Sequence, residues 1–140
     1  MRKLIAGVIM LAMLACVFIP SVSFTEDRDT VLLARAIYAL GKGESYETKL
    51  ALGSVAMNRV ESSWFRDSLG EVLAEQQQFP TGSRYDDDSL RAAHDVISGT
   101  RALPADALCY QAADSANAWG SDYQVDSIGN YNFYSRSGNK

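Results

Sequence analysis

Apolar residues in the first third of the chain recur at helical spacing. Between positions 31 and 40 they lie on one face, at Leu33, Ala36, Ile37 and Leu40. Spacing of three and four residues predicts an amphipathic helix, which Gly41 and Gly43 would end. A second helix is predicted from about Tyr46 to Val60, because Ser45 is a suitable N-cap and acidic residues favour the first turn.

Two shorter helices are predicted after residue 67. The sequence Ser68-Leu69-Gly70-Glu71 has the form of a capping box and predicts a helix from Leu69 to about Gln77. Three acids, Asp86 to Asp88, precede a further helix from Ser89 to Ser98, which Gly99 would close.

The pattern becomes extended after Pro104. Residues 108–111 are typical of a strand, and residues 130–134 alternate polar and aromatic side chains as a half-exposed strand does. The segment between them, which includes Trp119 and Tyr123, is expected to form a structured loop. Helices followed by a small β element indicate an α+β fold.

The N-terminal segment predicts export. Basic residues at positions 2 and 3 precede an apolar run from Leu4 to Ile19, and small residues at positions 21 and 23 fit a cleavage site. We therefore expect residues 1–23 to be a cleaved signal peptide and residues 24–140 to form a single domain. A retained anchor and lipidation at Cys16 are the alternatives. The expected location is outside the cell or in the cell envelope.

The charge and the cysteine content limit the classes of function that the chain can have. The chain has 140 residues and a net charge of −4, with no cluster of lysine and arginine, which argues against nucleic-acid binding. If Cys16 leaves with the signal peptide, Cys109 has no disulfide partner and is best interpreted as a small buried apolar residue. The acids at 86–88 lack the glycine and glutamate of a calcium loop. No cofactor or metal is expected.

Several short motifs follow one another in a distinctive order. They are Gly41-Lys42-Gly43-Glu44-Ser45-Tyr46, Asn58-Arg59-Val60, Gln78-Phe79, the predicted helix 89–99, and the segments 108–111 and 128–134. Together they resemble the SleB-like family of spore cortex-lytic cell wall hydrolases, from about Leu32 to Ser135. The resemblance implies a lysozyme-like helical domain with a small C-terminal antiparallel β element. It also implies cleavage of peptidoglycan glycan strands, by a lytic transglycosylase or a muramidase-like enzyme.

The chain departs from this family where a catalytic acid is expected. The family pattern is Tyr-x-Glu-Ala-Arg-Gly-Glu, and in this chain Leu40 lies at the position of its first glutamate. The family's Gly-Asn-His corresponds to Gly129-Asn130-Tyr131 here. Leucine cannot donate a proton, so Glu44, the second acid of the pattern, is the catalytic candidate. Three alternatives stay open: Glu44 caps the second helix, the acid comes from elsewhere, or the chain is an inactive relative that binds peptidoglycan. A structural envelope protein is a further hypothesis.

Aromatic and amide side chains are the substrate-binding candidates. The candidates are Tyr38, Gln78, Phe79, Tyr110, Asn130 and Tyr134. Aromatic faces pack on sugar rings and amides can bond N-acetyl groups, although aromatic residues also dominate cores. The expected partner is the peptidoglycan glycan strand. We expect a monomer, and an envelope protein is a further partner to consider.

Overall fold

In the part of the chain that the structure describes, four α-helices precede a small antiparallel sheet. The computed structural model describes residues 27–75, 78–80, 82–115 and 121–136, so the predicted signal peptide, Gln77 and Trp119 lie outside the described residues. The elements are α1 (Arg28–Gly41), α2 (Tyr46–Glu61), α3 (Leu69–Ala74), α4 (Asp87–Ile97), β1 (Ala107–Ala112), β2 (Gln124–Ile128) and β3 (Tyr131–Ser135). The α+β prediction is confirmed.

The turn between α1 and α2 is built as the sequence predicts. Helix α1 ends at Gly41, and Gly43 adopts a φ of +81°. Ser45 caps α2, because its hydroxyl accepts a hydrogen bond from the Thr48 amide at 3.2 Å. Glu44 therefore lies between two helix ends, and its backbone N–H donates to the Gly41 carbonyl at 2.9 Å.

Helices α3 and α4 also start at side-chain caps. Ser68 accepts from the Glu71 amide at 3.3 Å, but α3 ends at Ala74, earlier than predicted. Asp86 caps α4 through the Ser89 amide at 2.8 Å, so α4 starts at Asp87 rather than at Ser89. These caps satisfy amide groups that have no partner within a helix.

Asp86 also forms an ion pair with α2. The Lys49 ammonium group, whose side chain is 4% exposed, lies 3.0 Å from the Asp86 carboxylate. Burial raises the pKa of Asp86, but hydrogen bonds from Ser89 and Lys49 outweigh it and lower that pKa to about 2. The pair joins the middle helix to the start of α4.

The sheet has the strand order β1-β3-β2, and both neighbours run antiparallel to β3. The prediction of a loop was wrong for Gln124–Ile128, which form β2. This edge strand is largely exposed, and its five residues include only Val125 and Ile128 as apolar side chains. A short exposed edge strand gives little of the alternation by which strands are predicted.

The core lies between the helices and one face of the sheet. Its largest buried side chains include Leu33, Ile37, Leu52, Val55, Val96 and Phe133. At Gly53 of α2, an added Cβ would lie 3.0 Å from Ile37 and 3.1 Å from Val96. The absence of a side chain at Gly53 therefore lets α1 and α4 pack closely on α2.

Side chains of α2 hold β1 through its backbone. The Asn58 amide donates to the carbonyls of Pro104 and Ala107, at 2.8 and 3.1 Å. The Arg59 Nε donates to the Leu108 carbonyl at 2.7 Å. Both side chains are buried, so these bonds fix the sheet against the helices in a region shielded from water.

A second, smaller cluster of buried residues lies apart from this core. It consists of Leu108, Cys109 and Tyr134, with Phe65 packed against them. Burial raises the pKa of the Cys109 thiol, in keeping with a buried apolar role. Among the described helices, none is both long and apolar enough to cross a membrane.

Candidate active site

Glu44 meets the sheet at the turn between β2 and β3. Its carboxylate Oε1 accepts a hydrogen bond from Asn130 Nδ2 at 2.7 Å, across 86 positions of sequence. The first turn of α2 is already capped by Ser45. The side-chain cap of α2 is therefore Ser45, and the Glu44 carboxylate is oriented by Asn130.

Gly129 makes this close approach possible. Its φ is +58°, in the left-handed region that glycine adopts readily. A Cβ at this position would lie 2.3 Å from Thr48 Oγ1 and 2.7 Å from Glu44 Oε2. The turn between β2 and β3 thus contacts the turn between α1 and α2, and both carboxylate oxygens of Glu44 lie beside residues 129 and 130.

Tyr131 joins the same region to the end of α1. Its hydroxyl donates to the Leu40 carbonyl at 2.7 Å, and its ring lies 6.1 Å from that of Tyr110. Burial raises the pKa of Tyr131, and the negative charges of Glu44 and Asp114 raise it further. Tyr131 therefore stays protonated at neutral pH.

A cavity of about 560 Å³ opens beside these residues. Its lining residues are Glu44, Ala112, Ala113, Asp114, Asn130 and Tyr131. This set is called the cleft below. Its volume lies within the range of small-ligand sites, and its polar groups are few and convergent. An acid, an amide, a phenol and a second acid thus share one opening at the end of the sheet.

Two of the predicted site residues, Glu44 and Asn130, are brought together in the cleft. Tyr110 lies behind it, with its ring between those of Phe79 and Tyr131, and its hydroxyl donates to the Gln78 carbonyl. Burial raises the pKa of Tyr110 to about 12. Tyr110 therefore supports the ring of Tyr131 and does not line the opening.

The other predicted binding residues lie outside the cleft. Phe79 is 7% exposed and Tyr134 1% exposed, so both rings belong to the packed interior and the groove prediction is corrected for them. The Gln78 side chain accepts from Arg59 at 2.8 Å. Tyr38 is half-buried on α1, where the Lys42 ammonium group lies 6.0 Å from its ring centre.

Leu40 lies in the last turn of α1 but does not line the cleft. Its side chain is partly buried and packs against the core, while its carbonyl binds Tyr131. The family's acid position is thus an apolar packing position here. The carboxyl groups among the described residues that line the cleft are those of Glu44 and Asp114.

Sequence reasoning did not select Asp114, and it noted Tyr131 at the position of the family's histidine. A single aspartate after a strand has no local pattern that indicates a site. The alternation of β3 could have indicated which face Tyr131 occupies, but its neighbours across the sheet depend on strand order. Among residues of the described ranges, no group of three or more His, Cys, Asp or Glu is placed to hold a metal.

Comparison with known proteins identifies the family. The model of the cell wall hydrolase family matches residues 43–134, about two thirds of the chain. The chain belongs to the cell wall hydrolase family. The match starts at Gly43, so it includes Glu44 and all other residues of the cleft, whereas Leu40 precedes it.

Curated relatives of this chain are spore cortex-lytic enzymes. That of Bacillus subtilis is 32% identical over 117 residues, covering 77% of this chain and 38% of the relative. That of Halalkalibacterium halodurans is 32% identical over 80 residues, covering 53% of this chain and 24% of the relative. The chain thus spans well under half the length of these relatives.

Solved structures agree with the sequence comparison. The catalytic domain of the Bacillus cereus SleB protein matches with a TM-score of 0.69 and 28% identity, over 76% of this chain and 88% of that one. The catalytic domain of the germination-specific lytic transglycosylase SleB from Bacillus anthracis matches with a TM-score of 0.68 and 27% identity, over 76% and 93%. The similarity is therefore to the catalytic part of those proteins.

Proposed function

We propose that this cell wall hydrolase cleaves the glycan strands of peptidoglycan, with Glu44 as the proton donor. The observation that supports this most is the Glu44 carboxyl group in the cleft, held by Asn130 at 2.7 Å. The relatives' names, spore cortex-lytic enzyme and lytic transglycosylase, support a cell wall substrate.

The chemistry requires an acid beside the glycosidic oxygen. When the bond between the anomeric carbon and that oxygen breaks, the oxygen must receive a proton, and a carboxylic acid is the usual donor. Glu44 is suited to this because the turn hydrogen bond and Asn130 fix its position. Tyr131 and Asn130 line the same opening and supply a ring and an amide for a sugar.

An inactive, peptidoglycan-binding relative is the second candidate. It is favoured by Leu40, which replaces the acid that the family pattern has at that position. Such a protein would use the same cleft to retain glycan strands without cleaving them. The two candidates therefore differ in turnover and not in ligand.

The test compares Glu44 with Glu47, an acid three residues further along the chain. Purified protein is incubated with intact peptidoglycan, and loss of turbidity is followed with mass analysis of the released fragments. Glu44→Gln should lower the rate by roughly 10²–10⁴-fold, the usual contribution of a general acid. Glu47→Gln, at an exposed acid in the first turn of α2, is the matched control and should keep the wild-type rate.

Two results would contradict the proposal. A Glu44→Gln protein with wild-type rate and unchanged melting temperature would exclude Glu44 as the donor. A wild-type protein that sediments with peptidoglycan but releases no fragments would support the inactive relative instead.

We also propose that the protein is exported and monomeric. The N-terminal pattern of basic residues, an apolar run and small residues supports removal of residues 1–23. Intact-mass measurement of protein recovered from the culture medium or envelope tests this, and a mass that includes residues 1–23 would contradict it. Light scattering on the same sample tests the monomer.

A further inference from the structure

A second cavity, of about 250 Å³, lies between α1, α3 and the loop that follows α3. Its described lining residues are Leu32, Arg35, Ala36, Gly70, Leu73, Ala74, Pro80 and Gly82. This set is called the α1–α3 pocket below. It shares no described residue with the cleft. Apart from Arg35, the described lining residues are apolar, so the pocket is an apolar recess with one charged group.

Arg35 brings an unpaired positive charge to the α1–α3 pocket. Its Nε is buried and has no hydrogen-bond partner among the described residues. None of the described lining residues is acidic, and the ion pairs in the described part of the chain do not include Arg35. A buried polar atom without a partner is unfavourable, and more so in a charged group. The guanidinium group is therefore suited to bind an anion in the pocket.

The walls of the pocket indicate which anion fits. A guanidinium group presents a planar fork of donors, which matches the two oxygens of a carboxylate and also binds phosphate. The other walls include Leu32, Leu73 and Pro80, which offer no side-chain donor to a further oxygen. A free phosphate would leave oxygens without partners there, whereas a carboxylate on a small apolar group would place its apolar part against these walls. The pocket therefore favours a carboxylate of that kind.

Two glycines show where the pocket is closed and where it is open. An added Cβ at Gly82 would lie 3.3 Å from the Arg35 carbonyl oxygen, so the loop contacts α1 at this point. An added Cβ at Gly70 would have no atom within 4 Å, so the pocket is open beside the first turn of α3. A pocket that is closed on one side and open on the other suits the end of a chain.

We propose that the α1–α3 pocket binds the C-terminal carboxylate of a peptidoglycan stem peptide, an inference that rests on the proposed function for the identity of the ligand. Stem peptides are short chains attached to the glycan strand, and they end in alanine. The alanine methyl group packs against small side chains such as Ala36 and Ala74, and the carboxylate accepts hydrogen bonds from Arg35.

The position of the pocket along α1 agrees with a peptide attached to a glycan in the cleft. Arg35 lies six residues before Gly41, where α1 ends, so about 9 Å of helix separates it from the turn that holds Glu44. Four extended residues span about 13–14 Å. A short stem peptide is thus long enough to follow this part of α1.

The experiment is calorimetric titration of the purified protein with diacetyl-lysyl-D-alanyl-D-alanine, a soluble peptide with the C-terminus of a stem peptide. The same peptide with a C-terminal amide should bind roughly 10–100-fold more weakly, which is the usual worth of hydrogen bonds to a charged group. Arg35→Gln should weaken binding of the acid by the same factor. Arg28→Gln, at an exposed arginine of the same helix, is the matched control and should keep the wild-type affinity.

Gly70→Leu is a second variant that tests the pocket without changing its charge. The leucine side chain would start in open space and occupy the pocket, and leucine favours a helix more than glycine does. This variant should also bind the peptide at least roughly tenfold more weakly, with a melting temperature no lower than that of the wild type.

The outcomes separate this inference from the function on which it rests. No binding by the wild type, equal affinity for the acid and the amide, wild-type affinity in a folded Arg35→Gln or Gly70→Leu protein, or inorganic phosphate that binds as tightly as the peptide would each overturn it. The peptide has no glycosidic bond, so these results do not depend on cleavage. A protein that binds the peptide but releases no fragments from peptidoglycan would instead overturn the proposed function and leave this inference in place.

Discussion

Replacing Gly129 by alanine should destabilise the protein more than the same replacement at an ordinary turn glycine would. The substitution adds one methyl group at the point where the β2–β3 turn meets Glu44 and Thr48. That methyl carbon would lie 2.3 Å from Thr48 Oγ1 and 2.7 Å from Glu44 Oε2, well inside contact distance. Thr48 is fully buried, so it has little room to move away.

Two unfavourable contributions to the free energy of the folded state add at this position. A non-glycine residue in the left-handed region costs about 1–2 kcal/mol, and φ here is +58°. Inserting a methyl group into a packed site costs a further amount of about 1–3 kcal/mol. We therefore expect Gly129→Ala to lower the free energy of unfolding by about 2–5 kcal/mol.

Gly43→Ala is the matched control. Gly43 has a φ of +81°, but an added Cβ there would have no atom within 4 Å, so only the backbone cost applies. Urea denaturation of both variants measures the difference, which should be about 1–3 kcal/mol. Equal destabilisation by the two substitutions would refute the reasoning, because it would mean that Thr48 and Glu44 move aside freely.

Two further predictions concern the helix ends. Asp86→Ala should lower the free energy of unfolding by about 0.5–2 kcal/mol at neutral pH through loss of the α4 cap. Since the folded pKa of Asp86 is lowered from 3.8 to about 2, its stabilisation is present above about pH 4 and is lost as the pH falls through 2. Thermal melts across this range check it, and a deficit that stays constant down to pH 2 would contradict the assignment. Leu40→Glu should lower the free energy of unfolding by about 1–3 kcal/mol, because it places a carboxyl group among apolar side chains of the core. It should not raise cleavage of a peptidoglycan suspension, because Leu40 does not line the cleft; a folded variant more active than wild type would contradict this.

The helices could be predicted from sequence because their signals are local. Periodic apolar residues and the caps Ser45, Ser68 and Asp86 lie within a few residues of the ends that they define. Strand β2 could not be predicted, because an exposed edge strand owes its existence to pairing with β3.

The candidate site likewise has a part that local sequence signals predict and a part that depends on long-range pairing. Glu44 was selected because the turn around it forms a local motif. Asp114 and Asn130 are 16 residues apart in sequence, and their association depends on the pairing of Ala112 with Tyr131 across the sheet. For Phe79 and Tyr134 the reason is different: a ring in a core and a ring in a groove have the same sequence pattern, and only burial distinguishes Tyr134 from the half-buried Tyr131.

The attachment of β1 to α2 has a consequence for how this domain can diversify. Asn58 and Arg59 bind main-chain carbonyls of Pro104, Ala107 and Leu108, which every amino acid would offer equally. These hydrogen bonds therefore do not depend on which side chains β1 has. Substitutions toward its far end, at Ala112, can change the wall of the cleft while the pairing of the strands stays the same.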